Sequence, residues 1–225
     1  MWGKSGKFDV ILPYSELSGN AIVTGQRRVR TVSGFNDPLF RFSVNLYGAP
    51  ALSLEEFAKY RQDVIIGASV QVSAPLGQYD KNKLVNLGNN RWFVKPDLGI
   101  SKAWGPLTLE LSTGVYFFTN NDDYYGGTTL KQDPVSSTQA HLTYSIGRGV
   151  WAAVSWTYDY GGRTTTGGVR NDDLLSNSRV GVTLAVPVNR NNSIKFFASN
   201  GVHTTAGTSF DLIGVIWQYR WGGGL

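Results

Sequence analysis

The chain has 225 residues, of which only 16% are charged, whereas 13% are aromatic and 27 are glycine. This composition excludes a disordered chain and a coiled coil, both of which need many more charged residues. The net charge of +5 is spread along the chain rather than clustered, so nucleic acid is not an expected partner. The length fits one domain covering residues 1–225.

Hydropathy excludes a helical membrane protein. No stretch approaches the roughly 18 consecutive apolar residues of a transmembrane helix, and the first residues lack the apolar core of a secretory signal. A transmembrane β-barrel remains compatible with the sequence. Its strands alternate apolar and polar residues, which gives a modest mean hydropathy such as the −0.17 found here.

Apolar and polar residues alternate with a period of two along most of the chain, which predicts half-buried β-strands. The clearest example is 107–119, where Leu107 and Leu109 alternate with Thr108 and Glu110. Ten such segments are predicted, at 6–15, 38–48, 63–75, 91–102, 107–119, 135–146, 150–161, 178–189, 193–203 and 209–221. Their lengths match the roughly nine to eleven residues of a tilted membrane strand.

The connections between these segments alternate between long and short. Short turns lie at 103–106, 147–149 and 189–192, and long connections at 18–37, 77–90, 120–134 and 161–177. The alternation is typical of barrels with short periplasmic turns and long external loops. The connection 48–62 is long although it falls on the short side, and a short helix is predicted there at 53–60, with Ser53 as its N-cap.

Aromatic residues lie near the ends of several predicted strands, as in the two girdles of a membrane barrel. In the last segment Trp217, Tyr219 and Trp221 share one face, while Gln218 and Arg220 share the other. The predicted membrane-interface aromatics are Tyr14, Trp92, Trp104, Trp151, Tyr158, Tyr160, Trp217, Tyr219 and Trp221. The sequence therefore predicts an all-β fold, an antiparallel transmembrane β-barrel with about ten strands in this chain.

Polar residues of the same segments share the opposite phase and are predicted to line the lumen. They are Asp9, Arg41, Asn45, Gln71, Lys95, Asp97, Glu110, Gln139, His141, Asp159, Arg179, Lys195 and Arg220. Five of them are cationic and four are acidic, so we expect weak charge selectivity. Two interpretations stay open: the charges pair and seal the barrel, or they line a pathway.

Motifs for catalysis are lacking. The chain has no cysteine and two histidines, and it contains no phosphate-binding loop, no nucleophile elbow and no zinc-protease motif. Barrel phospholipases carry a catalytic histidine two residues before a serine, but here Thr143 follows His141 at that spacing. The acidic runs 120–123 and 171–173 lack the spacing of a calcium loop and are interpreted as solvated loop tips. We expect no enzyme activity, no cofactor and no metal.

Seven segments in order along the chain resemble an outer-membrane barrel family labelled MetA-pathway of phenol degradation. They are LPY at 12–14, GAPAL at 48–52, APLGQYD at 74–80, NLGNNRW at 86–92, FFTNNDD at 117–123, GGRT at 161–164 and WQYRW at 217–221. The resemblance implies a transporter-like barrel in the outer membrane of a diderm bacterium, connected with uptake of aromatic compounds. It also implies about twelve strands after a signal peptide, so we expect this chain to lack N-terminal strands and that signal.

The sequence thus predicts a passive channel for small hydrophobic or aromatic solutes. Its expected partners are outer-membrane lipid, lipopolysaccharide, the barrel-assembly machinery and the solute. One alternative is a non-conducting structural or adhesion barrel, whose lumen charges would close on one another. A second is a soluble β-sandwich binding module, which would bury the apolar face of its strands.

Overall fold

The computed structural model describes residues 4–23, 26–52, 56, 59–207 and 210–219, and β-strands dominate these ranges. The strands are β1 (Gly6–Ile11), β2 (Tyr14–Val23), β3 (Gln26–Phe35), β4 (Leu39–Tyr47), β5 (Val64–Ser73), β6 (Phe93–Trp104), β7 (Leu107–Phe118), β8 (Asn121–Tyr124), β9 (Thr128–Gln132), β10 (Val135–Gly147), β11 (Val150–Gly161), β12 (Thr164–Thr166), β13 (Val169–Arg170), β14 (Leu175–Pro187), β15 (Asn192–His203) and β16 (Leu212–Tyr219). A 3-10 turn lies at Tyr125–Gly127. None of the described residues belong to a helix that is long and apolar enough to cross a membrane.

Ten strands form one sheet in the order β1-β4-β5-β6-β7-β10-β11-β14-β15-β16, and every neighbouring pair is antiparallel. Each of the ten predicted segments overlaps one of these strands, with ends that differ by up to four residues, so the antiparallel all-β prediction is confirmed. Over the described residues β1 and β16 are the two edges of the sheet. Closure of the sheet into a barrel therefore stays a prediction.

The sheet has an apolar face and a polar face, because neighbouring strands pair in phase. Leu111 of β7 lies opposite Ile100 and Ala140, whereas the next residue, Ser112, lies opposite Gly99 and Gln139. The apolar face is the exposed one: Leu98 is 60% exposed and Val182 53%, whereas Ser73 and Ser137 on the polar face are each 1% exposed. A soluble sheet has the opposite distribution, and so large an exposed apolar surface needs an apolar environment.

The long connections contain β-structure that the sequence analysis assigned to loops. β2 and β3 form a separate hairpin, and β8, β9, β12 and β13 form a small four-stranded sheet. The first predicted strand, 6–15, was too long, because β1 ends at Ile11 and Tyr14 already begins β2. Most of the helix expected at 53–60 lies outside the described residues.

The long loops lie at one end of the sheet, here called the long-loop end, and hydrogen bonds from buried side chains hold them together there. The Asp37 carboxylate accepts the Gly77 amide at 2.9 Å and the Asn89 amide at 2.7 Å. Asn121, which is 1% exposed, donates to the Tyr79 hydroxyl and to the Asn89 carbonyl, both at 3.0 Å. These bonds satisfy polar groups that water does not reach, and they fix the loop between β5 and β6 against its neighbours.

Gly114 of β7 leaves space on the polar face for the side chains of Lys95 and Asp97. A Cβ at this position would lie 2.6 Å from Asp97 Oδ2 and 2.6 Å from the Pro96 carbonyl oxygen. We expect Gly114→Ala to lower the free energy of unfolding by about 1–3 kcal/mol, measured by denaturant titration in phospholipid vesicles. Gly99→Ala is the control, because its Cβ would meet its nearest atoms at 3.5 Å. Equal losses for the two variants would contradict this packing.

Candidate functional site

The polar face is the candidate site, and it gathers the predicted lumen residues that the structure describes. One row runs from Asp9 through Arg41 and Gln71 to Lys95, each directly opposite the next. The residues on this face are Asp9, Arg41, Asn45, Gln71, Lys95, Asp97, Glu110, Gln139, His141, Asp159, Arg179 and Lys195. Arg220 lies outside the described residues. That this face lines a lumen remains a prediction.

Some of these charges neutralise one another. Arg41 Nε donates to Asp9 Oδ2 at 3.2 Å, and Lys7 Nζ lies 2.7 Å from Asp9 Oδ1. Lys95 Nζ lies 3.2 Å from Asp97 Oδ2, with 9% of the lysine side chain exposed. These pairs reduce the net charge of the part of the face formed by β1, β4 and β6.

Other cations on the face are held by neutral groups. Arg179 donates to the Ser199 hydroxyl at 3.0 Å and to the Phe210 carbonyl at 2.9 Å, and its guanidinium carbon lies 4.0 Å from the Phe210 ring centroid. Lys195 Nζ lies 5.6 Å from the Trp151 ring centroid. Ring contacts of this kind stabilise a cation and leave its charge uncompensated. Among the described residues, the charges of this face are therefore not all paired with one another.

Two cavities lie one after the other along β6 and β7. The first, of about 300 Å³ near the long-loop end, we call the Arg91 cavity; it is lined by Asn89, Arg91, Phe93, Tyr116, Phe118, Gln132, Val135, Asp159, Leu175 and Asn177. The second, of about 280 Å³, we call the central cavity. Its polar lining residues are Ser43, Asn45, Ser69, Asp97, Ser101, Glu110, Ser112 and His141.

Arg91 holds its guanidinium among aromatic and amide groups. Its central carbon lies 4.6 Å from the Phe118 ring centroid, and Nη2 donates to the side-chain oxygen of Gln132. Nη1 is buried and has no hydrogen-bond partner within the described ranges. Burial lowers the pKa of Arg91 from its ordinary value, and the nearby Tyr124 opposes this effect. An arginine nevertheless stays protonated in a protein, so this wall of the cavity is cationic.

Aromatic rings form the neighbouring wall. Phe93 and Tyr116 meet edge to face with centroids 5.3 Å apart, and Tyr116 and Phe118 stack at 6.1 Å. Lys95 Nζ lies 4.8 Å from the Tyr116 centroid. A wall of preformed ring edges and faces of this kind suits contact with the planar, apolar ring of a bound molecule.

The central cavity has a different character, with small side chains and an isolated acid. Glu110 lies opposite Ser101 on one side and His141 on the other, and it forms no ion pair in the described part of the chain. His141 Nδ1 and the Ser155 hydroxyl are 2.7 Å apart. In the described ranges no three acidic or histidine side chains are arranged to hold a metal.

Most of the predicted interface aromatics lie on the apolar face near strand ends. Trp92, Trp104, Tyr160, Trp217 and Tyr219 are between 46% and 69% exposed. Tyr158 stacks between Trp156 and Tyr160 in a row of rings, with centroid distances of 6.1 and 6.5 Å. These placements are consistent with an interface role, which stays a prediction.

Two members of the aromatic set depart from that pattern. Trp151 lies on the polar face, because it shares the phase of Ser155 on β11 and faces Lys195. Tyr14 is outside the ten-stranded sheet, in the β2–β3 hairpin, where its ring meets Phe35 at 5.3 Å. Trp221 lies outside the described residues. Trp151 and Tyr14 were both expected at the interface because they lie near a predicted strand end. Trp151 differs because of its strand phase, and Tyr14 because the chain reverses before it and begins β2.

Apart from Asp159, the residues named here as defining the Arg91 cavity were not predicted as lumen residues. Arg91, Tyr116 and Phe118 have the parity of the polar positions of β6 and β7, so phase alone places them on the polar face. Gln132 had no comparable signal, because it comes from the small loop sheet and reaches Arg91 across 41 residues of sequence.

The fold is similar to that of a solved outer membrane channel. The COG4313 outer membrane channel from Pseudomonas putida F1 is similar in structure, with a TM-score of 0.73 over 96% of this chain and 82% of that chain at 19% sequence identity. No curated protein matches the sequence. The family model described as "Putative MetA-pathway of phenol degradation" matches residues 3–219. The chain belongs to this family, which confirms the resemblance found in the sequence.

Proposed function

We propose that this protein is an outer-membrane channel through which small hydrophobic or aromatic solutes move down their gradient. The observation that carries the proposal is the distribution of side chains, with exposed apolar residues on one face and partly covered polar residues on the other. Lipid would cover the apolar face, and solute would pass along the polar face. Membership of the phenol-degradation family supports aromatic solutes as cargo.

Closure of the sheet is part of this proposal. An even number of antiparallel strands places the edge strands β1 and β16 antiparallel to each other. They would join directly or through further strands, since unpaired edges cannot remain exposed to lipid. Insertion would use the barrel-assembly machinery, and the loops at the long-loop end would meet lipopolysaccharide.

A conducting pathway is favoured over a sealed structural barrel by the central cavity. Its wall includes Gly67 and Gly99, which leave space, and Glu110, which has no ion-pair partner among the described residues. Sealed barrels instead fill the interior with paired charges. We assign no chemical step to the protein, and we treat residues 1–225 as one barrel domain.

Solute influx tests the channel proposal. We expect vesicles with lipopolysaccharide in the outer leaflet to take up benzyl alcohol several times faster when they contain the protein than when they do not. Ser112→Trp should reduce that rate towards the protein-free value, because the indole would fill the central cavity that Ser112 lines. Val169→Trp, at an exposed position in the loop sheet, is the matched control. Equal rates in protein-containing and protein-free vesicles would favour the non-conducting barrel.

A further inference from the structure

We infer that the Arg91 cavity is a binding site for aromatic carboxylates, with the carboxylate at Arg91 and the ring against the aromatic wall. The inference rests on the proposed function, because it names the class of aromatic solute that the channel would select. It differs from the sequence-based expectation of weak charge selectivity, which treated the polar face as one averaged field.

The guanidinium supplies the anion-binding end of the site. Arg91 is the only cation among the described residues that line the cavity, and its Nη2 donates to Gln132. Nη1 remains a buried donor with no acceptor in the described structure. A planar carboxylate can accept two parallel hydrogen bonds from a guanidinium, which would satisfy that donor and the charge together.

Neighbouring charges do not compete for the ligand. Lys95 points into the same wall, but its ammonium is paired with Asp97 at 3.2 Å. Asp159, which would repel an anion, lies on β11, three strands from β6 in the sheet order. At roughly 4.8 Å per strand this separation is about 14 Å along the sheet. The cavity is therefore attractive to a carboxylate at the Arg91 end and repulsive at the other end.

The remaining walls suit the ring of the ligand. Phe93, Tyr116 and Phe118 present ring edges and faces, and Val135 and Leu175 add aliphatic surface. A cavity of about 300 Å³ is at the lower limit for small-molecule sites, so a single substituted ring fits better than a fused or extended one. An inorganic anion would leave this apolar surface uncovered.

Calorimetric titration of the refolded full chain in detergent micelles tests the site with four probes. Benzoate carries both required features, benzyl alcohol lacks the charge, and acetate and chloride lack the ring. We expect saturable binding of benzoate and at least tenfold weaker binding of the other three, since charge-assisted pairing and ring contact each contribute about a factor of ten. Benzyl alcohol binding as tightly as benzoate would overturn the inference in favour of a neutral-solute site.

Variants assign the binding to the proposed residues. Arg91→Gln should weaken benzoate binding at least tenfold. The benzoate affinity of Arg91→Lys should lie between those of the unaltered protein and Arg91→Gln, because lysine keeps the charge without the planar pair of donors. Asp159→Asn should strengthen benzoate binding a few-fold by removing the repulsive charge. Arg190→Gln, at an exposed turn at the opposite end of the sheet, is the control. Unchanged affinity in Arg91→Gln would overturn the inference.

Binding in micelles tests the Arg91 site and influx into vesicles tests the channel, so either proposal can be refuted without the other. Saturable benzoate binding that Arg91→Gln abolishes, without influx of any solute, would refute the channel and support the site. Influx of benzyl alcohol without benzoate binding would refute the site and leave the channel proposal standing.

Discussion

Replacing Leu111 by arginine is expected to destabilise the protein in a lipid bilayer by roughly 2–4 kcal/mol. Leu111 lies near the middle of β7 on the apolar face and is 44% exposed. Its cross-strand neighbours, Ile100 and Ala140, offer no polar group to a guanidinium. The measurement is the free energy of unfolding from phospholipid vesicles, obtained by denaturant titration.

Ser112→Arg is the matched control for Leu111→Arg. It introduces the same side chain one residue further along β7, on the polar face, where Ser112 lines the central cavity. The new guanidinium would remain hydrated and near Glu110, so we expect a loss below about 1 kcal/mol. A larger loss for Ser112→Arg than for Leu111→Arg would mean that the polar face is the packed one and that the apolar face does not lie in lipid.

The fold of the ten-stranded sheet was predictable because its physical cause is local in sequence. A strand with different environments on its two faces must alternate residue types, and a long strand repeats the signal several times. In β7 six consecutive odd positions from Leu107 to Phe117 carry Leu, Leu, Leu, Thr, Val and Phe. Short and long connections then give the antiparallel order without further information.

The structure in the long connections was not predictable in the same way. β8, β9, β12 and β13 have five residues or fewer each, too few to display a period. The β2–β3 hairpin is held partly by distant groups, since Arg30 Nε donates to the Val85 carbonyl at 3.3 Å and Gly34 lies against Gln78. Such contacts depend on how the loops meet, which periodicity does not describe.

The candidate site likewise has features that could be predicted from the sequence and features that could not. The face on which Lys95, Asp97 and Glu110 lie follows from strand phase, and a pair two residues apart on one strand is bound to share a face. Which charges pair, and where space remains, depends on residues from other strands such as Gly114 and Gln132. An average over all charges on the face therefore missed a cavity with a cation at one end.

The ion pair between Lys95 and Asp97 gives the largest expected effect on stability. Asp97→Ala should lower the free energy of unfolding by about 3–5 kcal/mol, because it leaves a buried ammonium without its carboxylate. The Lys95 side chain is 9% exposed, so water does not replace the lost partner. The Tyr116 ring at 4.8 Å offers a cation–π contact of only about 0.5–2 kcal/mol.

Two further variants separate charge from packing in this result, with unfolding measured in the same vesicles. Asp63→Ala removes the acid that pairs with Lys102, which lies on β6 as Lys95 does. The Asp63 side chain is 76% exposed, so we expect a loss below about 1 kcal/mol. The double variant Lys95→Met, Asp97→Ala removes both buried charges and should recover much of the stability that Asp97→Ala loses. If the double variant is as unstable as Asp97→Ala, the loss comes from packing around Gly114, and the unpaired ammonium is not its cause.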